Sequence, residues 1–218
     1  MKLYVDTADV DRIRDVAALG VVDGVTTNPS IVAEAGVGYR EAVESVADTV
    51  DGPVFAQTIA ADVDGMVREG RAYQAWADEV VVKLPATREG FAALARLRAD
   101  GVPAGTTVVF SAEQAVLAAK NDASFVAPYV GRLDDAGADG VGAVERICRI
   151  YDAQGFETDV LAASVRNTTQ ALALYEAGVD AVTMSPDVLE AHVGHPKTAE
   201  GMAGFEAAWG DRGSPIGE

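Results

Sequence analysis

Lys83 follows three valines, Val80-Val81-Val82, and precedes Leu84-Pro85. An ammonium in such apolar company is costly to bury, and desolvation lowers its pKa toward the neutral amine. A neutral amine condenses with a carbonyl to form a Schiff base. A lone lysine at a strand end more often snorkels to water. The company it keeps reverses that balance. Asp6, Asn28, Gln57, Thr107 and Tyr129 each stand at or near the end of another short apolar run, with Thr26 and Thr27 beside Asn28. Arg132 follows Tyr129, and Arg166 follows Ser164. A carboxylate, an amine, a phenol, amides and hydroxyls brought to one place suit carbonyl chemistry with acid–base help. Two guanidiniums and a serine suit a phosphate, through bidentate hydrogen bonds. Each partner also has a plainer reading. Asp6 fits the N-cap of a following helix, Tyr129 fits a core aromatic with its hydroxyl at the surface, and Ser164 and Arg166 fit an ordinary loop.

What could bring these residues together is a repeating element pattern. Eight apolar or β-branched runs recur: Leu3–Asp6, Gly24–Asn28, Val54–Ile59, Val80–Pro85, Thr106–Phe110, Phe125–Tyr129, Val160–Val165 and Ala181–Ser185. They are nearly continuously apolar, as in parallel strands covered by helices. Between them lie helical stretches, Asp9–Leu19, Ala61–Ala77, Thr87–Ala99, Ala112–Ala119, Val141–Ala153 and Thr168–Ala177, with Thr87 a plausible N-cap. The pattern predicts the α/β class and a (β/α)8 TIM barrel with an additional C-terminal helix, Thr198–Trp209. An open doubly wound sheet is the rival, but Asp6-Thr7-Ala8-Asp9 after the first run is no glycine-rich nucleotide loop. No linker divides the chain, so residues 1–218 read as one domain, with the barrel at about 1–194 and a helical tail at about 195–218. The tail's stripe of Met202, Phe205 and Trp209 must be buried on its own barrel or on a neighbouring subunit. In a barrel, chemistry sits at the C-terminal ends of the strands, where the polar residues above fall.

The 218 residues carry 34 Asp+Glu against 17 Lys+Arg, a formal net charge of −17. Nucleic acid and anionic membrane are therefore poor partners, since both need a basic patch. Only four of the basic residues are lysine, which points to work in high salt, where self-repulsion is screened. A merely acidic cytosolic protein is the alternative. The single Cys148 excludes an internal disulfide and a cysteine zinc site, and reads as a small buried filler. His192 and His195 lack a carboxylate placed to complete a metal site. The N-terminus meets charge within six residues, unlike a signal peptide, and no apolar run approaches membrane-span length, so a cytoplasmic protein is expected.

The stretches LYVDTADV, GVTTNPSIV, VVVKLPAT, APYVGRLDD, VLAASVRN and HPKTAEGMAGFEAAW resemble the small transaldolase and fructose-6-phosphate aldolase family of class I aldolases, from Met1 to about Trp209. The resemblance implies a Schiff base on Lys83, with Asp6, Tyr129, Gln57 and Thr107 catalytic. It implies that Thr26, Asn28, Arg132, Ser164 and Arg166 bind a sugar phosphate. No metal or cofactor is expected, and relatives form rings, pentamers or decamers. Tyr129 and Gln57 occupy positions where transaldolases of the family typically have Phe and Glu. That favours fructose 6-phosphate cleavage to dihydroxyacetone and glyceraldehyde 3-phosphate. GRLDD, Thr107–Ser111 and Arg166 look more like a transaldolase, which passes the dihydroxyacetone unit to another sugar phosphate. A sugar-phosphate-binding barrel without catalysis is the alternative of another class.

Overall fold

The computed structural model describes residues 1–210, Arg212, Gly213 and Ile216. The remainder of the expected tail lies outside the described residues. Eight parallel strands close into a barrel in sequence order: β1 (Lys2–Asp6), β2 (Gly24–Thr26), β3 (Val54–Gln57), β4 (Val80–Pro85), β5 (Ala104–Val109), β6 (Phe125–Pro128), β7 (Asp159–Val165) and β8 (Ala181–Met184). β1 pairs with both β2 and β8, which seals it. The helices are α1 (Val10–Ala17), α2 (Pro29–Ala35), α3 (Tyr39–Ala47), α4 (Val63–Gln74), α5 (Arg88–Ala99), α6 (Ala112–Lys120), α7 (Val130–Asp135), α8 (Gly140–Gln154), α9 (Thr168–Glu176), α10 (Pro186–Glu190) and α11 (Pro196–Trp209). The fold is a (β/α)8 TIM barrel with a C-terminal helix. No described helix is long and apolar enough to cross a membrane.

Strand alternation divides the core in two. Val5, Val25, Val54, Ala56, Val80, Val82, Leu84, Val126 and Val182 point outward into the layer beneath the helices. Tyr4, Phe55, Phe125, Ala127, Leu161, Ala163 and Ala181 fill the barrel, with Val81 and Tyr129 packed against them. Phe55 stands at the centre of this plug, 5.1 Å from the ring of Tyr4 and edge-on to Phe125 at 5.0 Å. The plug closes the barrel from below. Inside the barrel, polar side chains therefore gather one layer higher, at the C-terminal mouth.

Three strand boundaries differ from the sequence reading by two residues, each for a local reason, and the other differences are of a single residue. β5 starts at Ala104 because Gly105 belongs to the strand: a Cβ there would collide with Phe125. β2 ends at Thr26 because Asn28 leaves the sheet to cap α2, its Oδ1 accepting from the N–H groups of Ser30 (3.0 Å) and Ile31 (3.1 Å). β3 accordingly ends at Gln57, where its neighbour has gone. Thr87 caps α5 through a 3.0 Å bond from Gly90 N–H. Cys148 is buried in the core under α8. α11 has no buried residue, and Met202, Phe205 and Trp209 are all exposed, so the helix does not dock on its own barrel.

Candidate active site

Two-residue alternation sets the polar layer directly above the plug. Asp6 follows Tyr4 by two, Gln57 follows Phe55, Lys83 follows Val81, Tyr129 follows Ala127 and Thr183 follows Ala181. Strand register aligns them: Asp6 pairs with Thr26 and Gln57 with Lys83. Asp6, Thr26, Asn28, Gln57, Lys83, Thr107, Tyr129, Arg132 and Ser164 all line one cavity of about 270 Å³. Arg166 lies outside it. It lines an adjoining hollow of about 230 Å³, which shares Asp6, Ser164 and Thr183 with the first. Its guanidinium is held 3.0 Å from Asp135.

Lys83 is buried at 4% exposure, and burial pushes its amine down to about 8, against an opposing pull from Asp6. Roughly a tenth of such an amine is neutral at pH 7 and half at pH 8. Asp6 is held above the usual carboxylate range by burial, which outweighs Lys83, a hydrogen bond from Thr26 and the more distant Arg132. Thr26 Oγ1 donates to Asp6 Oδ1 at 2.7 Å, and with its one hydrogen so used it accepts from Thr183 Oγ1 at 2.7 Å. Asp6 caps no helix; α1 is capped by Asp9, whose Oδ1 accepts from Asp11 and Arg12.

Tyr129 hangs over the opposite wall. Its hydroxyl is 3.2 Å from Thr107 Oγ1, and Arg132 covers its ring at 5.2 Å. Burial raises its pKa, so the phenol stays protonated and able to donate. Gln57 faces the same space, and its Oε1 is buried without a partner among the described residues. Asn28 spends Oδ1 on its helix, which leaves the Nδ2 hydrogens as its contribution to the cavity.

Two mouth residues sit in left-handed backbone: Val108 at φ 57° and Ser164 at φ 59°. Each coincides with a break in strand register, in β5 and β7. These bulges re-aim the strand ends so that Val108 and Ser164 line the cavity. For a β-branched valine the conformation costs on the order of 1–3 kcal/mol, and such strain gathers at functional sites. Gly131, between Tyr129 and Arg132, lets α7 lie against β7: a Cβ would collide with Ser164 O and approach Arg166 Cγ to 2.8 Å.

Thr183 also lines the cavity, although it stands inside the last run rather than at its end. Parity was the available signal. Residues 181 and 183 face inward, whereas Ser185 caps α10. No group of three or more His, Cys, Asp or Glu suited to a metal exists among the described residues. His192 bonds to Val188 O (2.8 Å) and the Tyr175 hydroxyl (3.0 Å), and His195 accepts from Lys197 N–H (3.1 Å).

Residues 3–212 match the family model described as Transaldolase/Fructose-6-phosphate aldolase. The chain is 45% identical over 209 residues to a probable transaldolase of Methanococcus maripaludis strain C5, covering 96% of this chain and 97% of the relative. It is 46% identical over 207 residues to a probable transaldolase of Hyphomonas neptunium, covering 95% and 96%. A probable transaldolase of Phenylobacterium zucineum aligns at 44% identity over 216 residues, 99% of this chain and 100% of the relative. With a model match over nearly its whole length and full-length relatives at this identity, the chain belongs to the transaldolase/fructose-6-phosphate aldolase family.

Proposed function

We propose that this enzyme cleaves fructose 6-phosphate through a Schiff base on Lys83, releasing glyceraldehyde 3-phosphate and then dihydroxyacetone. The observation that carries this reading is the buried Lys83 amine, brought down to about 8 in a cavity it shares with Asp6 and Tyr129. The amine adds to the ketone carbon, and loss of water gives an iminium. Asp6 takes the proton of the hydroxyl at the bond being cleaved. The electron pair of the breaking C–C bond flows into the iminium, leaving an enamine on Lys83. Thr26 and Asn28 hold the dihydroxyacetone portion. Arg132 and Ser164 hold the phosphate from the cavity side, with Arg166 in reach from the adjoining hollow. No metal or cofactor takes part in this scheme.

The enamine is discharged by a proton delivered from Tyr129 through a water held with Gln57 and Thr107, and hydrolysis then frees Lys83. A phenol and an amide can hold that water where a phenyl ring cannot. Transfer to an acceptor aldehyde is the second reading, favoured by relatives named probable transaldolase. Fructose 6-phosphate with and without erythrose 4-phosphate separates them. Dihydroxyacetone released without acceptor supports the aldolase; an absolute acceptor requirement supports the transferase. Binding without either product would leave a sugar-phosphate-binding barrel.

The exposed stripe on α11 supports assembly with further copies of the chain. Sedimentation of the full chain against one ending at residue 195 tests this. The net charge of −17 with four lysines supports a cytoplasm of high salt, tested by activity across salt concentration.

A further inference from the structure

Thr27 N–H donates to Phe55 O at 3.0 Å, the last backbone bond from β2 to β3. Beyond it the chain departs at Asn28 to cap α2. In a parallel ladder Gln57 points its N–H and C=O the same way as Phe55, toward the place that β2 has left. A buried peptide end without partners costs about as much as a lost hydrogen bond or more. Tyr39 of α3 fills the gap with one atom. Its hydroxyl accepts from Gln57 N–H at 2.7 Å and donates to Gln57 O at 2.8 Å. The ring is wedged against Tyr73 at 5.4 Å and Trp76 at 6.2 Å. Burial holds the phenol up at about 12, so it remains neutral and can serve both bonds. Gln57's side chain has no comparable anchor, since its Oε1 lacks a partner among the described residues.

We infer that Tyr39 is a positioning residue. Its hydroxyl stands in for the missing peptide at the mouth end of β3 and fixes where Gln57 presents its amide to the cavity. The inference rests on the reading that Gln57 holds the water that discharges the enamine. Tyr39 touches no reacting atom, so its loss should leave Schiff-base formation intact and disturb how the enamine is used.

The test compares Tyr39→Phe, Gln57→Ala, their double variant and Tyr73→Phe in the full chain. The readouts are dihydroxyacetone release from fructose 6-phosphate, transfer to erythrose 4-phosphate and the rate of borohydride trapping. Tyr39→Phe should lower the ratio of release to transfer by about fivefold, the scale of one hydrogen-bonding group. Trapping should stay within about twofold of the parent, and Tyr73→Phe should leave the ratio unchanged. Added to Gln57→Ala, Tyr39→Phe should have no further effect on the ratio, because its action runs through the Gln57 side chain. An unchanged ratio in Tyr39→Phe, with a changed one in Gln57→Ala, overturns the inference and leaves the reading of Gln57 standing. A ratio unchanged in both, or no release by the parent, overturns that reading and the inference with it. Equal losses of release, transfer and trapping with a lowered melting temperature would make Tyr39 merely structural and overturn the inference.

Discussion

Replacing Lys83 by methionine should stabilise the fold while abolishing turnover. The amine's drop from 10.5 to about 8 corresponds to about 3 kcal/mol of differential burial cost at ~1.36 kcal/mol per pH unit. Methionine fills a similar volume without a charge. Part of the gain is lost because Asp6 forfeits its nearest cation, but burial already favours the neutral carboxyl, so protonation relieves it. A net gain of about 1–2 kcal/mol at pH 7 is expected, or roughly 2–8 °C in Tm for a chain of this size. The pH dependence is the sharper signature. Folding lowers this pKa, so between pH 8 and 10.5 the unfolded chain binds more protons than the native one. Parent stability climbs across that window, and the burial cost is fully present only below about 8. The advantage of the methionine variant should therefore shrink steadily from pH 8 to 10.5. Calorimetry at fixed protomer concentration checks it. A variant no more stable than the parent at pH 7, or a difference flat across that window, would refute a desolvated Lys83.

Asp6→Asn removes the group that holds Lys83 up, so the midpoint of borohydride trapping against pH should move below about 8; a midpoint that stays or rises contradicts the pairing. Tyr129→Phe should cut dihydroxyacetone release on the order of a hundredfold while sparing transfer to erythrose 4-phosphate, since it removes an acid and leaves the enamine. Product analysis with and without acceptor reads this, and parallel loss of both activities would count against it. Gly131→Ala drives a Cβ into Ser164 O and the Arg166 side chain, and should raise KM for fructose 6-phosphate about tenfold. Trapping with unphosphorylated dihydroxyacetone should be unaffected; equal damage to both ligands would break the link to the phosphate.

Much of this was legible in the sequence because a barrel ties function to strand ends. The apolar runs placed all eight strands, and in four of them the polar residue at or near the end is the one the alternation lifts above the aromatic plug. Asp6, Gln57, Lys83 and Tyr129 were found that way. Thr183 was missed because it lies inside its run, where only its parity with Ala181 marks it as facing the barrel. The bulges at Val108 and Ser164 carry no composition signal, since valine and serine are ordinary strand residues until the backbone turns to φ 57° and 59°. The short helices α2, α7 and α10 escaped for want of enough turns to show a period, whereas α3 is as long as α6 and α9 and went unread between β2 and β3. Tyr39 was invisible for a different reason. Its importance lies in a gap left by β2, which exists only once strands of unequal length are paired.

A covalent bond between substrate and Lys83 leaves a mass that can be read on the chain. Borohydride reduction in the presence of fructose 6-phosphate, followed by peptide mapping, should place a single dihydroxyacetone-sized adduct on the peptide containing Lys83. Lys2, Lys120 and Lys197 should stay unmodified, and the Lys83→Met variant should take up none. An adduct on another lysine, or full turnover by Lys83→Met, would contradict the account.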